Sequence, residues 1–297
     1  FNRTVSANLG MSYSICNVLL EAGIGNIARW LPLAIPTHEV KDRLRNKMIR
    51  PTTIPHTRED LFVEQGVCRE ALRLAFVHHK QLAVGLKGVQ QTRGIADAFE
   101  QKSSGESLVD MMRLGLIVGS GGVLSHAPDR AQAALMMLDA YQPEGVTELA
   151  VDSIFMMPQL GVLSAVHPQA AAQVFERDCL IYLGIAIAPR CVAKRPDEEL
   201  AGYELNLPGG RQERGTLRLG QLRRFPLGIG EQAEVVITPV RRCDVGAGPG
   251  KPLRRTVRGG VVGLILDGRG RPLVLPEDDT ARITLLKSWL DELGIGI

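Results

Sequence analysis

Aromatic side chains are scarce, with Phe, Trp and Tyr together making 4% of 297 residues. A surface that stacks successive bases of a single strand needs more of them, so a nucleic-acid ligand is not expected. No apolar run reaches the length of a membrane-spanning helix, and no signal peptide opens the chain, so neither a membrane nor export is expected. The five cysteines (Cys16, Cys68, Cys179, Cys191 and Cys243) are odd in number, form no C-x-x-C pair and lie in or beside apolar stretches. They read as reduced, buried thiols of a cytoplasmic protein, not as disulfides or a zinc site. Two phosphate fingerprints are missing as well. Gly119-Ser120-Gly121-Gly122 fails G-x-G-x-x-G because Leu124 stands where the third glycine belongs. Gly246–Lys251 fails the Walker A pattern, with Val245 in place of the leading glycine and Pro252 in place of Ser or Thr. There is no internal repeat. The chain opens at Phe1, not Met, in what reads as a strand, which suggests a fragment or a processed piece.

What is present is ordinary for a globular protein: 45% hydrophobic residues, 23% charged, and a length that suits two domains better than one. The net charge of +3 is unevenly spread. Residues 190–258 hold 14 Lys plus Arg against 8 Asp plus Glu, so this segment carries +6 and the remainder −3. The first part alternates strands with stripe-patterned helices. A turn at Asn8-Leu9-Gly10 precedes a helix from about Tyr13 to Ala22, and Thr37 can cap a short basic helix ended by Pro51. Thr57–Asp60 is a capping box for a long helix with Leu61, Cys68, Leu72 and Phe76 on one face. Residues 87–107 form a polar excursion. A strand over Leu114–Val118, the glycine turn, and a helix over Pro128–Tyr141 follow. After them come a strand over Glu148–Asp152 and helices over Phe155–Val166 and Pro168–Arg177. This alternation predicts an α/β domain over residues 1–189. From 190 to 276, short runs punctuated by Gly and Pro predict an antiparallel β module, a barrel or sandwich. Residues 277–297 hold a last helix, Asp279–Leu293, stopped by Gly294.

Three places could carry chemistry. The strand–glycine–helix junction at Gly119, Ser120, Gly121 and Gly122 lets a planar or anionic group lie on bare backbone, or it is simply a tight turn. Asn8, Gly10 and Ser12 form a second such turn, suited to phosphate or merely capped. Asp152 is a possible metal or sugar ligand, with helix capping as the simpler role. His78-His79 lacks the i, i+4 spacing of a helical metal pair and reads as a charge partner at a helix C-terminus. No catalytic base or metal set emerges. The basic β segment reads as a docking face for an acidic protein partner or as a solvated surface.

The stretches "RTVSANLGMSYS", "LIVGSGGVLSHAP" and "LAVDSIFMMPQLGVLSAVHPQAA" resemble, in order and spacing, the glutamate mutase L family of MutL-type accessory proteins. These are encoded beside adenosylcobalamin-dependent mutases and are unrelated to mismatch repair. The resemblance implies an RNase H-like half-domain of the actin, Hsp70 and sugar-kinase superfamily over residues 1–189, with ATP and Mg²⁺ bound only in the complete parent. It places adenosine on Gly119, Ser120, Gly121 and Gly122, and phosphate near Asn8, Gly10 and Ser12. Asn8 stands where the family has Asp, and no D-x-G-x-T phosphate loop occurs, so the resemblance implies a missing N-terminal half. The implied role is a nucleotide-dependent reactivating factor for a mutase. The alternative is a non-catalytic scaffold that docks through its basic β module.

Overall fold

A computed structural model of the chain describes residues 8–82, 109–192, 195 and 197–296. The expected opening strand and the excursion over 87–107 lie outside the described residues. The architecture is mixed α/β. Four helices come first: α1 (Ile15–Ala22), α2 (Ile24–Ala28), α3 (Thr37–Ile49) and α4 (Arg58–Leu82). They are followed by β1 (Leu116–Gly119), α5 (Gly122–Ser125), α6 (Arg130–Tyr141), β2 (Gly145–Asp152), α7 (Met157–Ser164) and α8 (Pro168–Val174). Next are β3 (Leu180–Ala188), β4 (Arg190–Cys191), β5 (Glu199–Asn206), β6 (Gln212–Arg218), β7 (Leu222–Phe225) and β8 (Gln232–Pro239). The chain closes with β9 (Cys243–Asp244), β10 (Leu253–Arg258), β11 (Gly263–Asp267) and α9 (Asp279–Leu293).

Local signals place the helix starts. The Thr57 hydroxyl accepts from the Asp60 amide at 3.1 Å, as the capping box requires. Asp129 caps α6 and Asp278 caps α9, and Gly294 ends α9 in the left-handed conformation. Thr37 differs from expectation: it is the first helical residue, behind Pro36 at the cap position, and Pro is pre-set for an extended entry.

The main sheet runs β1-β2-β3-β11-β7, parallel at β1/β2 and β3/β11 and antiparallel at the other two joins. Its strands alternate between two cores. Leu183, Ala186 and Ile265 face the helices, whereas Ile185, Ile187, Leu264 and Leu266 face a second, antiparallel sheet, β10-β8-β5-β6. Burial on both faces explains why "GIAIA" and "GLIL" are unbroken apolar runs. The expected division at residue 189 is therefore not where the main sheet ends: β11 and β7, from beyond it, complete that sheet. Leu286, Trp289, Leu290 and Leu293 of α9 join the helix-side core with residues of α1 and α4.

Helix α4 is buried far beyond its predicted stripe, because it contacts α1 and α2 as well as α6. Even Arg69 and Glu70 are buried there. Glu70 accepts from Arg29 and from the Trp30 indole, both at 2.8 Å, and Arg69 is bound to Asp139 of α6 at 2.6 Å. The cysteine reading needs one correction. Cys16, Cys68 and Cys179 are free thiols, but Cys191 and Cys243 are joined in a disulfide. Antiparallel pairing of β4 with β9 sets these two residues opposite each other, with Cα atoms 4.3 Å apart. Pairing across 52 residues leaves no local sequence signal.

Candidate functional site

The glycine turn sits at the carboxyl ends of two adjacent parallel strands, with Gly119 of β1 opposite Val151 of β2. In α/β sheets that edge is where ligands bind, because loops there leave backbone donors free. The three glycines have different jobs. Gly119 is demanded by packing: a Cβ would lie 2.7 Å from the Met137 sulfur and 2.9 Å from Leu124 Cδ1, both side chains buried. Gly121 adopts φ +107°, which excludes ordinary side chains, yet has nothing within 4 Å of a Cβ. Gly122 opens α5 with unrestricted φ and also has nothing within 4 Å. A bare turn explains Gly119 and Gly121. It does not explain Gly122.

The first turn of α5 leaves donors over. The Leu124 and Ser125 amides return to the Gly121 carbonyl at 3.0 and 2.9 Å, while those of Gly121, Gly122 and Val123 have no acceptor among the described residues. Such amides and bare glycine backbone are what a planar or anionic ligand uses.

Asp152 holds the turn in place. Its carboxylate accepts from the Met157 amide at 2.9 Å and the Ile154 amide at 3.4 Å, and it reaches the Ser120 hydroxyl at 3.4 Å. The Ser125 hydroxyl donates to the Asp152 carbonyl at 2.5 Å. Burial alone would raise the carboxyl pKa; the amides of Met157, Met156 and Ile154 and the Ser120 hydroxyl outweigh it and hold it below the usual range. Asp152 is thus an ionised cap for α7 and a stitch to the glycine turn. The capping half of this was legible in the sequence. Ser125, which completes the stitch, was missed, and nothing in its local pattern marks it.

The second turn stands apart. The Asn8 carbonyl accepts from Asn17 Nδ2 at 3.2 Å and the Ser12 carbonyl from the Ile15 amide at 3.1 Å, so both serve α1. Gly10 approaches only Ser14, 3.5 Å from where its Cβ would be. Among the described residues no hydrogen bond or ion pair joins Asn8, Gly10 or Ser12 to Gly119, Ser120, Gly121 or Gly122. His78 pairs with Glu21 of α1 at 2.7 Å, a partner the sequence did not identify.

Two other places do not involve the glycine turn. The glycines of Gly246–Lys251 do form a cradle of amides, but it is filled from within: Asp244 Oδ1 accepts from Gly246 at 2.8 Å and Gly248 at 3.0 Å. A cleft of about 510 Å³ opens between α1, α3 and the start of α4, far in sequence from the glycine turn, which does not line it. Its Arg43 and Lys47 are already paired with Asp60 and Glu64. Among the described residues no three His, Cys, Asp or Glu side chains come together as a metal-binding group, and no helix is long and apolar enough to cross a membrane.

Residues 1–179 match the model of a protein family described as MutL protein. No curated protein and no solved structure is matched by the chain.

Proposed function

Since the chain belongs to the MutL protein family, the glutamate mutase L family, we propose that it is the nucleotide-binding half of an accessory factor that reactivates an adenosylcobalamin-dependent mutase. The observation that carries the nucleotide part is Gly122: exposed, with nothing within 4 Å of where a Cβ would lie, no positive φ to demand glycine, and amides beside it that have no acceptor among the described residues. In this reading the β1–α5–α6 succession belongs to an RNase H-like, actin-like half. Gly119, Ser120, Gly121 and Gly122 carry the adenosine, and Asn8, Gly10 and Ser12 lie on the phosphate side.

The residues present fit the adenosine side of a nucleotide better than its Mg²⁺-triphosphate side. Asn8 is neutral and cannot hold a cation as a carboxylate does. Arg130, at the start of α6, is taken up by the Ser125 carbonyl at 2.5 Å. The grip on the phosphates is therefore assigned to a companion half of the factor.

Calorimetric titration with ADP tests the site. Gly122→Val is expected to unfold at the temperature of the parent yet to bind roughly tenfold or more weakly, the penalty for overpacking a filled space. Gly119→Ala is expected to do the reverse, costing about 1–3 kcal/mol of stability through Met137 and Leu124. Unchanged affinity in a well-folded Gly122→Val protein returns the turn to a purely structural role. A second expectation concerns turnover. Phosphoryl transfer to water needs a metal-held triphosphate gripped from both sides and a positioned base. Phosphate release from ATP should be absent for this chain, and metal-dependent release would overturn the assignment of the phosphate grip.

The scaffold reading is favoured by the neutral Asn8. It expects no nucleotide binding even by the intact factor.

A further inference from the structure

Most of the described arginines from residue 190 onward are paired within the fold. Arg190, Arg211, Arg214, Arg218, Arg223, Arg242 and Arg258 each pair with a carboxylate, and Arg269, Arg271 and Arg282 do so as well. Arg224 is bound to the Val262 and Leu293 carbonyls. Six described cations from 190 onward have no side-chain partner: Arg195, Arg241, Lys251, Arg254, Arg255 and Lys287. Four of the six fall within fifteen residues, in the β8–β10 loop and on β10, and all four are exposed.

Two features make this more than a solvated surface. The loop is built to hold its shape. The Cys191–Cys243 disulfide anchors one end, the Gly250 amide donates to the Cys243 carbonyl at 2.8 Å, and the Gly246 and Gly248 amides close on Asp244. Pre-ordering of this kind lowers the entropy cost of binding. In addition, among the described residues β10 is the outermost strand of its sheet and pairs only with β8, so its other edge offers main-chain groups to a further strand.

We propose that β10 and the β8–β10 loop form a docking edge for an acidic, extended segment of a partner protein, which adds to the sheet as a strand and is held by Arg241, Lys251, Arg254 and Arg255. Strand addition supplies affinity through the main chain and selects through side chains. Charge complementarity selects carboxylates here. Residues 239–259 hold no Phe, Trp or Tyr, so the edge has nothing to stack a nucleobase and a protein segment is favoured over a nucleic acid. The competing role for charges on an edge strand is to block accidental pairing. A purely repellent edge binds no acidic strand.

The test uses the full chain and a short fluorescent poly-L-glutamate probe, read by anisotropy at rising salt. Binding should weaken as salt screens the contact. Arg254→Glu with Arg255→Glu should weaken it on the order of fivefold. Arg195→Glu with Lys287→Glu, an equal change in net charge elsewhere, should leave it unchanged. Both pairs are exposed, and matching thermal melts establish that both variants fold. Hydrogen exchange should show the β10 amides protected by the probe. Equal losses in the two variants, no binding at low salt, unprotected β10 amides, or tighter binding of a single-stranded DNA of the same charge would each overturn the proposal.

Discussion

Asp139→Ala is expected to destabilise the protein by about 3–5 kcal/mol, the range found when one partner of a buried ion pair is removed. Asp139 is 2% exposed and serves two cations at once. Arg69 of α4 and Arg269, just beyond β11, each approach it at 2.6 Å. Arg269 also grips Asp267 through Nε and Nη2, at 2.9 and 2.8 Å, and Arg271 binds Asp267 at 2.8 Å. The chain of charges runs from α4 through α6 to the end of β11, with Arg269 over the Trp289 ring of α9, 4.8 Å from its centroid. Alanine at 139 leaves Arg69 buried with no carboxylate. Urea unfolding measures the loss, and a change below about 1 kcal/mol, the scale of an exposed pair, would show that water reaches the network.

The same network sets an acid limit. Burial would raise the Asp267 carboxyl pKa; the Arg269 and Arg271 charges and hydrogen bonds outweigh it and hold it far below the usual range. A depressed folded-state pKa means that this stabilisation is complete above about pH 4, the unfolded value, and is lost as pH falls toward the folded one. Acid should therefore weaken the coupling of β11 to α6 before any alkaline effect appears there.

These features show which parts of the molecule its sequence discloses. Helices announced by short-range chemistry were legible: Thr57–Asp60 opens α4, and Gly294 closes α9 where a left-handed residue is needed. The strand and the glycines after it were legible for the same reason, being adjacent in the chain, but α5, which begins at Gly122 itself, departs from the helix expected only from Pro128. What escaped was set by distant pairing. "GLIL" falls within the segment expected to form a separate β module, although an unbroken apolar run is the mark of a strand covered on both faces, as β11 is by the helices and by the second sheet. Nothing local marks Arg269 as part of a buried network, because Asp139, which it binds, lies more than a hundred positions earlier. Cys191 and Cys243 were separated in the same way. At the site, Asp152 disclosed its cap, but its tie to Ser120 needed the parallel pairing of β1 with β2.

A chain ended at residue 189 is expected not to fold as a cooperative unit. Truncation removes β11 and β7 and leaves β3 as an open edge, with Ile185 and Ile187 facing water where the second sheet had covered them. On the opposite face it removes Leu286, Trp289, Leu290 and Leu293 from the core shared with α1 and α4. Each large side chain contributes roughly 1.5–3 kcal/mol by burial, and these six alone approach the whole stability of an ordinary domain, about 5–15 kcal/mol. Asp139 would also lose Arg269. Calorimetry of the truncated chain decides the matter. A broad, low-enthalpy transition is the expected result. A sharp one near the temperature of the full chain would mean that residues up to 189 form an autonomous domain, with β11, β7 and α9 only resting on it.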